Sequence, residues 1–472
     1  PVSSSEQSPG DSLRRELRPL DVTMLVMGGI IGAGIFFTPQ KVASLEPSLL
    51  GISLAWGIGG VLALTGALVY AELGGLFPLT GGQYIFLREA FGRRVAFFYG
   101  WNLLVLVSSG AVAIICGICV EHLDVVFGHA MGDPTRAYLP TWARVMLSTG
   151  LILTLVGLNV RGVRLGANIH NVIMFIKVSC VLFVIVLGVV WWFSPNSAAI
   201  AGGEAPAEMS KGIQWRALVP AMLAVLFSYG GWESVTSVGG EIRDGGRVLP
   251  RAILVGTISV IALYVGINMS LVGILGVEDL AGAETPVAAA AGRVLGKGGE
   301  ILVASMIVVS TLGILHALTI MVPRVFYAMA RDGVFFEACG RTHPTRGTPH
   351  VAIFLFGGFS LLHMAVASFI TDIGQLLESA IFVDWIFFAL IGGSYFVFRW
   401  RRPDVERPFR APLHPFAALT FVGLSVAIVL GSLWGLPPER LLIPALALGS
   451  GMLLLVGRHF KKGKSFSHEE TR

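Results

Sequence analysis

Charged residues are scarce in this chain. They make up 13% of its 472 residues, against about a quarter in an average soluble domain. Hydrophobic residues make up 54%. So little polar surface cannot cover the several cores that a soluble chain of this length would contain. The composition excludes an ordinary soluble protein and predicts an integral membrane protein.

Cysteines are also few, and the motifs of common ATP-driven and metal-dependent membrane proteins are missing. Only four cysteines occur, which excludes a disulfide-stabilised secreted scaffold. The segment Gly463-Lys464-Ser465 lacks the leading glycine of a Walker loop, and no His-Glu-x-x-His motif is present. The sequence therefore predicts a protein that is not an enzyme and that needs no cofactor or metal.

Long apolar stretches fill most of the chain. A helix that spans the hydrocarbon core of a bilayer needs about 20 apolar residues. Twelve stretches of that order predict an all-α integral membrane protein with twelve transmembrane helices. They cover residues 21–45, 50–77, 95–122, 142–159, 167–193, 215–238, 251–276, 300–329, 349–371, 374–398, 415–434 and 440–457.

The basic residues are distributed unevenly between the predicted loops. Of the 34 lysines and arginines, 25 fall on the side of the two termini and 8 on the other side, with Lys177 alone inside a span. The positive-inside rule therefore places both termini in the cytoplasm. We expect a multi-pass protein of the plasma (inner) membrane whose net charge of +5 faces anionic lipid and needs no nucleic-acid partner.

Two of the predicted spans are interrupted by glycines. The first span carries four glycines from Gly28 to Gly34, and the sixth carries Gly230 and Gly231 next to Glu233. Glycine is about 1 kcal/mol less favourable than alanine inside a helix. Interrupted helices at matching places in two halves indicate an inverted-repeat transporter. Close helix packing at Gly28-x-x-x-Gly32 is the alternative interpretation.

This pattern divides the chain into predicted segments. They are a cytoplasmic segment at 1–20, a first repeat of five spans at 21–194, a second repeat of five spans at 215–398, two further spans at 415–457 and a cytoplasmic basic tail at 458–472. Unwound backbone in lipid is tolerated only around water or a polar ligand. Its free N–H groups suit an anion and its free carbonyls a cation, so we expect a small zwitterion as the ligand.

Five short motifs carry a family resemblance. They are Gly32-Ala-Gly34-Ile-Phe36, Tyr70-Ala-Glu72-Leu-Gly74, Thr80-Gly-Gly82-x-Tyr84, Phe227-x-Tyr-Gly-Gly-Trp232 and Arg399-Trp-x-x-Pro403. Over about residues 20–455 the chain resembles the amino acid, polyamine and organocation superfamily, and within it the L-type amino-acid transporters. The resemblance implies the leucine-transporter-type fold, with a 5+5 inverted repeat, broken helices 1 and 6, and alternating access.

The resemblance also implies a substrate site. The substrate carboxylate would accept hydrogen bonds from the N–H groups of Gly32, Ala33 and Gly34. The substrate ammonium would donate to the carbonyls of Ile30, Ile31, Phe227 and Gly230. Phe227 would cover the site, and four further residues would shape the side-chain pocket, namely Ser108, Ser109, Tyr229 and Trp232. Ordinary helix packing or lipid contact is the alternative for these aromatic and serine side chains.

The chain departs from the L-type pattern at two places. The loop from Leu123 to Pro140 contains no cysteine, so we expect no disulfide-linked heavy chain. Glu233 stands where the light chains carry a neutral residue. Glu233 could carry a proton or bind a cationic side chain of the substrate. A cationic amino-acid or polyamine antiporter is therefore an alternative function. In the structural interpretation, Glu233 only accepts hydrogen bonds from the N–H groups that the break leaves free.

Lys177 lies about ten residues inside the fifth span, where a charge is expensive and is a functional candidate by default. It resembles the lysine that replaces the second sodium ion in proton-coupled members of the superfamily. It would bond to carbonyls near Gly28 and Gly29 and to Ser310 or Thr311, or serve as a structural link between helices. Three other intramembrane groups are interpreted as packing or helix-linking residues, with a role in coupling as the alternative, namely His316, His363 and Asp384.

Together these features predict a secondary active amino-acid transporter. It would work by alternating access as a sodium-independent exchanger or proton-linked permease, with an amino acid, the lipid bilayer and possible protons as its partners. A channel or a non-transporting amino-acid sensor is the alternative of another class. A channel would need a repeated filter or rings of charge, which the sequence does not offer.

Overall fold

The computed structural model describes residues 13–132, 138–194, 213–367, 373–435 and 437–466. The helices of the first half are α1 (Pro19–Ile30), α2 (Gly34–Leu45), α3 (Leu49–Leu76), α4 (Gln83–Phe91), α5 (Arg93–Asn102), α6 (Ser108–Ala130), α7 (Thr141–Val160) and α8 (Val163–Trp192). Those of the second half are α9 (Trp215–Tyr229), α10 (Gly245–Leu275), α11 (Val277–Gly282), α12 (Pro286–Leu295), α13 (Lys297–Met321), α14 (Pro323–Arg331), α15 (His350–Ala367), α16 (Ile373–Arg401), α17 (Phe416–Gly435) and α18 (Leu442–Phe466).

The described part of the chain is helical throughout. Its extended pairings are two isolated bridges, Leu17 with Ile242 and Thr80 with Val238. Nine of the described helical stretches are long and apolar enough to cross a membrane, and ten if α1 and α2 count as one bent span. The chain is therefore a multi-pass membrane protein, as its composition predicts.

Two of the twelve predicted spans are shorter than expected among the described residues. Helix α9 has 15 residues and gives way to irregular backbone at Gly230. Helix α15 has 18 residues, and the end of its predicted span at 368–371 lies outside the described residues. The count of twelve spans therefore stays a prediction. The predicted span at 300–329 is divided between α13 and α14, because Pro323 begins a new helix there.

The broken helices lie in the interior of the bundle. Helix α10 packs against α1, α3 and α8, and α9 packs against α2 and α3. The peripheral helices α17 and α18 are the least buried spans, at 22% and 17% of their apolar windows. Leucine, valine and aromatic side chains on those helices face outward, as lipid-contacting helices require. The interruptions are therefore surrounded by protein.

Ion pairs join the ends of several spans. The Arg324 guanidinium donates to both carboxylate oxygens of Glu241, at 2.7 and 3.1 Å, and both side chains are almost fully buried. Arg399 lies 2.5 Å from Glu72, which also accepts a hydrogen bond from the Ala411 N–H. Glu72 and Glu241 are therefore both paired with arginines.

Candidate functional site

The first break lies between α1 and α2. Helix α1 ends at Ile30 and α2 begins at Gly34, with a bend of 42° between them. The Ile31 N–H still donates to the Met27 carbonyl at 2.8 Å. Within the described residues, no backbone carbonyl accepts a hydrogen bond from the next three N–H groups, those of Gly32, Ala33 and Gly34. The start of α2 therefore offers N–H donors without backbone acceptors at the positive end of a helix dipole, and of these the Gly32 N–H lies beside the Tyr264 hydroxyl.

The second break follows α9. Gly231 adopts a φ of +113°, which L-residues rarely adopt, and a short 3-10 turn follows at Ser234–Ser237. The two breaks touch, because a Cβ atom on Gly29 would lie 2.5 Å from the carbonyl oxygen of Gly231. The hydroxyls of Thr38 and Ser228 are also 2.6 Å apart. Both glycine-rich stretches are thus interrupted side by side.

A cavity of about 440 Å³ opens beside the two breaks. This volume lies within the usual range for small-molecule sites. Most of the lining is apolar, and its walls come from the broken helices and from α5, α6, α13 and α16. The lining includes seven of the predicted site residues, which are Ile30, Gly32, Ala33, Gly34, Ser108, Gly230 and Glu233.

Four other predicted site residues are absent from the described lining. Two of them, Tyr229 and Trp232, belong to aromatic clusters behind it. The Tyr229 hydroxyl donates to the Trp56 carbonyl at 3.3 Å. Trp232 packs edge-on against Tyr70 and stacks on Phe388, which itself lines the cavity. These two aromatics support the cavity wall from behind, and a direct contact with substrate stays a prediction.

The other two are Ile31 and Ser109, whose polar groups are engaged inside the protein. Ile31 is fully buried, and the Ser109 hydroxyl donates to the Leu104 carbonyl in the preceding π-helical turn, Leu103–Val107. Adjacent residues point about 100° apart on a helix, so Ser108 faces the cavity while Ser109 faces away. The side chain of Phe227, predicted to cover the site, lies outside the described residues.

Three successive carbonyls at the end of α1 are capped by side chains of three different helices. The Tyr264 hydroxyl donates to the Ile30 carbonyl at 3.1 Å, the Lys177 ammonium donates to the Ile31 carbonyl, and the Ser310 hydroxyl donates to the Gly32 carbonyl at 3.2 Å. A carbonyl left unpaired in lipid is unfavourable by several kcal/mol. These caps therefore stabilise the interrupted end of α1.

The sequence predicts the acceptors of Lys177 among carbonyls near Gly28 and Gly29. In the structure its acceptor is the Ile31 carbonyl, two residues after Gly29 and directly after the end of α1. Of its two expected hydroxyl partners, Ser310 binds the next carbonyl of the same break. Thr311 instead donates to carbonyls of its own helix, at 2.8 and 2.9 Å. Lys177 is 2% exposed, so its contact is internal to the protein.

Glu233 lies directly after the second break and lines the cavity. Its carboxylate accepts hydrogen bonds from the Gly231 N–H at 2.9 Å and from the Ser234 hydroxyl at 3.0 Å. These are the contacts of the structural interpretation given above. They do not separate it from the proton-carrying or cation-reading roles, because the carboxylate also faces the cavity.

Sequence reasoning did not assign several polar residues of the lining to the site. Asp384 was interpreted as a packing or helix-linking residue, with coupling as the alternative, and it lies on the cavity wall contributed by α16. The other polar residues of the lining are Gln83, Tyr99 and five hydroxyl residues, namely Thr38, Ser228, Ser234, Thr236 and Ser237. For Asp384 a signal was available, since an intramembrane carboxylate is a functional candidate by default. The π-helical turn that precedes Ser108 carries no sequence signal, although such turns are frequent at functional sites.

Outside the spans, α4 is tied to the end of α14. The Tyr84 hydroxyl donates to Asp332 at 2.8 Å, and Arg88 donates to the same carboxylate at 2.6 Å. Burial, followed by the negative charge of Asp332, raises the pKa of Tyr84. The phenol therefore remains a donor at neutral pH and fixes α4, whose first residue, Gln83, lines the cavity.

Comparison with known proteins decides the family. The sequence profile of the amino acid permeases matches residues 17–446. The chain belongs to the amino acid permease family. Amino-acid transport is the activity of that family.

Three relatives illustrate how far the similarity extends. The serine/threonine exchanger SteT of Bacillus subtilis (strain 168) is 29% identical over 89% of this chain and 92% of its own length. The b(0,+)-type amino acid transporter 1 of Homo sapiens is 28% identical over 97% of this chain and 91% of its own length. The cystine/glutamate transporter of Pongo abelii is 27% identical over 90% of this chain and 82% of its own length. By their names all three are transporters or exchangers of amino acids, not enzymes.

Proposed function

We propose that this chain is a secondary active amino-acid transporter that binds its substrate between the two breaks and carries it by alternating access. The observation that carries the proposal is the contact between two interrupted helices at one membrane-embedded cavity. Free N–H groups at Gly32, Ala33 and Gly34 would hold the substrate carboxylate. Carbonyls at Ile30 and Gly230, both on the lining, would meet the ammonium, with Ile31 and Phe227 as further predicted acceptors.

Sodium-independent transport is the second part of the proposal. A lysine ammonium at the end of α1 supplies the positive charge that a sodium ion would otherwise bring to those carbonyls. Lys177 bonds to the Ile31 carbonyl and is buried. Coupling would then rest on exchange of substrates or on protons, with Glu233 as the proton carrier, and with Ser310 and Thr311 near the lysine.

The finer architecture also belongs to this proposal. Helices α9 and α15 would complete twelve spans, arranged as inverted repeats at 21–194 and 215–398 followed by two spans at 415–457. Segments 1–20 and 458–472 would lie in the cytoplasm of a cell with this protein in its plasma (inner) membrane. The cysteine-free loop at 123–140 supports function without a disulfide-linked heavy chain, although one set of relatives carries "small subunit" in its name.

Counterflow in proteoliposomes tests the proposal. Liposomes loaded with unlabelled amino acids should take up labelled amino acids from outside, with equal rates when potassium replaces sodium. Empty liposomes should take up little, unless an inward proton gradient drives entry. Absence of counterflow with every amino acid, or uptake that requires sodium, would contradict the proposal. Single-channel currents would favour a channel, and binding without flux would favour a sensor.

Glu233 supports a second candidate within the same class. A carboxylate on the lining of a mostly apolar cavity suits a cationic substrate, so a cationic amino-acid or polyamine antiporter is the alternative. The variant Glu233→Gln, assayed with leucine, arginine and ornithine at several pH values, separates the roles. Loss of cationic substrates alone indicates side-chain recognition, and loss of pH dependence indicates proton coupling.

A further inference from the structure

The cavity contains two carboxylates and, among the described lining residues, no lysine, arginine or histidine. Glu233 belongs to the second break, whereas Asp384 lies on α16. Helix α16 packs mainly against α4, α6, α17 and the π-helical turn rather than against the broken helices. Asp384 therefore reaches the cavity from a wall other than the one that holds the breaks. Two carboxyl groups therefore lie on two sides of a cavity whose lining is mostly apolar.

The two carboxylates differ in how they are stabilised. Glu233 accepts hydrogen bonds from two donors. Asp384 has no hydrogen-bond or ion-pair partner among the described residues, although it is close enough to Glu233 to interact with it electrostatically. A carboxylate without a partner in a low-dielectric cavity is strongly unfavourable, so such groups mark sites for a cation or a proton.

Tyr99 points to the same part of the cavity independently. Its side chain is 2% exposed and lines the cavity. Within the described parts of the chain its hydroxyl has no hydrogen-bond partner, and the ring is held edge-on by Phe387 of α16 at 5.2 Å. Buried hydroxyls are normally hydrogen-bonded. Phe387 lies three residues after Asp384 on α16, so Tyr99 packs against the same face of that helix. An unpaired phenol oxygen and an unpaired carboxylate on one cavity lining are therefore a place where a ligand would supply the missing donor.

We infer that Asp384 and Tyr99 form a subsite for the positively charged end of the substrate side chain. The substrate class is then the amino acids whose aliphatic side chain ends in an amine or guanidinium. This inference rests on the proposed function, because the breaks hold the zwitterionic head. The apolar lining around Val107, Ala111 and Ile381 accommodates the methylene groups, and the terminal cation donates to Asp384 and Tyr99.

The same geometry favours an amino acid over a diamine. A diamine could satisfy the two carboxylates of the cavity, but it has no carboxylate for the free N–H groups at the start of α2. A neutral amino acid could occupy the breaks, but it would leave Asp384 without a partner. An amino acid with a cationic side chain satisfies the N–H groups at the start of α2 and both carboxylates of the cavity at once. Charge-assisted hydrogen bonds of this kind are roughly twice as strong as neutral ones.

Counterflow with lysine and leucine tests the subsite in three variants. Asp384→Asn should lower the ratio of kcat/KM for lysine to kcat/KM for leucine by at least about tenfold, the effect of losing one charge-assisted partner. Tyr99→Phe should lower the same ratio by about two- to fivefold. Glu378→Gln is the matched control, because Glu378 lies on the same helix, outside the cavity lining, and pairs with Arg440 at 2.7 Å. The ratio should not change in this variant.

The possible results distinguish the subsite from the proposed function. Leucine counterflow retained by Asp384→Asn shows that the variant is folded, and an unchanged lysine-to-leucine ratio then overturns the subsite. Wild-type protein that carries leucine but not lysine, ornithine or arginine also overturns it, while amino-acid transport stands. Putrescine carried in preference to lysine overturns the assignment to amino acids.

A binding measurement covers the remaining cases. Lysine should raise the thermal midpoint of the detergent-solubilised wild-type protein, and the rise should be smaller in Tyr99→Phe. If no amino acid is transported, the proposed function fails and this binding result decides the subsite alone. If Asp384→Asn does not fold, the Tyr99→Phe result decides it, and an equal rise in wild type and Tyr99→Phe would overturn the subsite.

Discussion

Replacing Gly231 by alanine tests whether the contact between the two breaks holds the site together. Gly231 has a φ of +113°, and the left-handed region is unfavourable for an L-residue by about 1–2 kcal/mol. The added Cβ would also collide with the backbone carbonyl of Gly29. That carbonyl cannot rotate away without moving α1, so overpacking adds about 1–3 kcal/mol. We expect a total destabilisation of about 2–5 kcal/mol.

Gly57→Ala is a matched control for the Gly231→Ala variant. Gly57 lies inside α3, and a Cβ atom there would meet no atom within 4 Å. Gly57→Ala should therefore stabilise the protein by about 0.5–1 kcal/mol through helix propensity alone. Heating in detergent, followed by size-exclusion chromatography, measures the fraction that remains monodisperse. The monodisperse fraction of Gly231→Ala should disappear at a clearly lower temperature than that of Gly57→Ala. Gly231→Ala should also show no counterflow.

The partner residue provides a second check on the same contact. Gly29→Ala introduces a Cβ atom 2.5 Å from the Gly231 carbonyl oxygen and should also destabilise the protein. Because both substitutions act on one contact, their effects should not be additive in the double variant. Equal thermal behaviour of Gly231→Ala and Gly57→Ala would refute the close approach of the two breaks and the reasoning built on it.

Three further predictions concern residues around the site. Lys177→Met leaves the Ile31 carbonyl unpaired, so this variant should be less stable by about 1–3 kcal/mol. Its counterflow should be at least about tenfold slower. Counterflow of the wild-type protein that sodium stimulates would contradict the role of Lys177 in place of a sodium ion. Arg324→Met leaves the buried Glu241 carboxylate alone, so heating in detergent should reveal a loss of about 3–5 kcal/mol, and unchanged stability would contradict the pairing. Burial raises the pKa of the Cys339 thiol to about 11, so a maleimide at pH 8 should label it only after denaturation, and rapid labelling of the folded protein would contradict its burial.

Much of the helical framework follows from the sequence. Apolar stretches of membrane length predict the spans because lipid leaves a backbone few choices other than a helix. The glycines at Gly29 and Gly231 predict the breaks because they lower helix propensity where two backbones approach closely. The ion pairs of Glu72 and Glu241 with arginines follow from the surplus of arginines at the ends of the spans where these two carboxylates lie. Each of these inferences depends on composition and spacing along one segment.

The side of each helix that faces the cavity could not be predicted in the same way. Ser108 and Ser109 are adjacent and chemically identical, and the π-helical turn before them decides which of the two lines the cavity. Tyr229 and Trp232 are directed by packing against α3 and α17, which only the assembled bundle reveals. Asp384 was recognised as an intramembrane carboxylate, but its position on α16 does not indicate which helices surround it, so its place on the cavity wall could not be predicted.

The two ends of the first break are not equivalent in the hydrogen bonds that their backbone groups already make. The carbonyls of Ile30 and Ile31 already accept hydrogen bonds from Tyr264 and Lys177, whereas the N–H groups at the start of α2 have no backbone acceptor in the described structure. The break therefore has more unsatisfied capacity for an anion than for a cation. The carboxylate common to all amino acids would bind there. Under the proposed function, selection among amino acids would then depend on the opposite wall, where Asp384 lines the mostly apolar cavity.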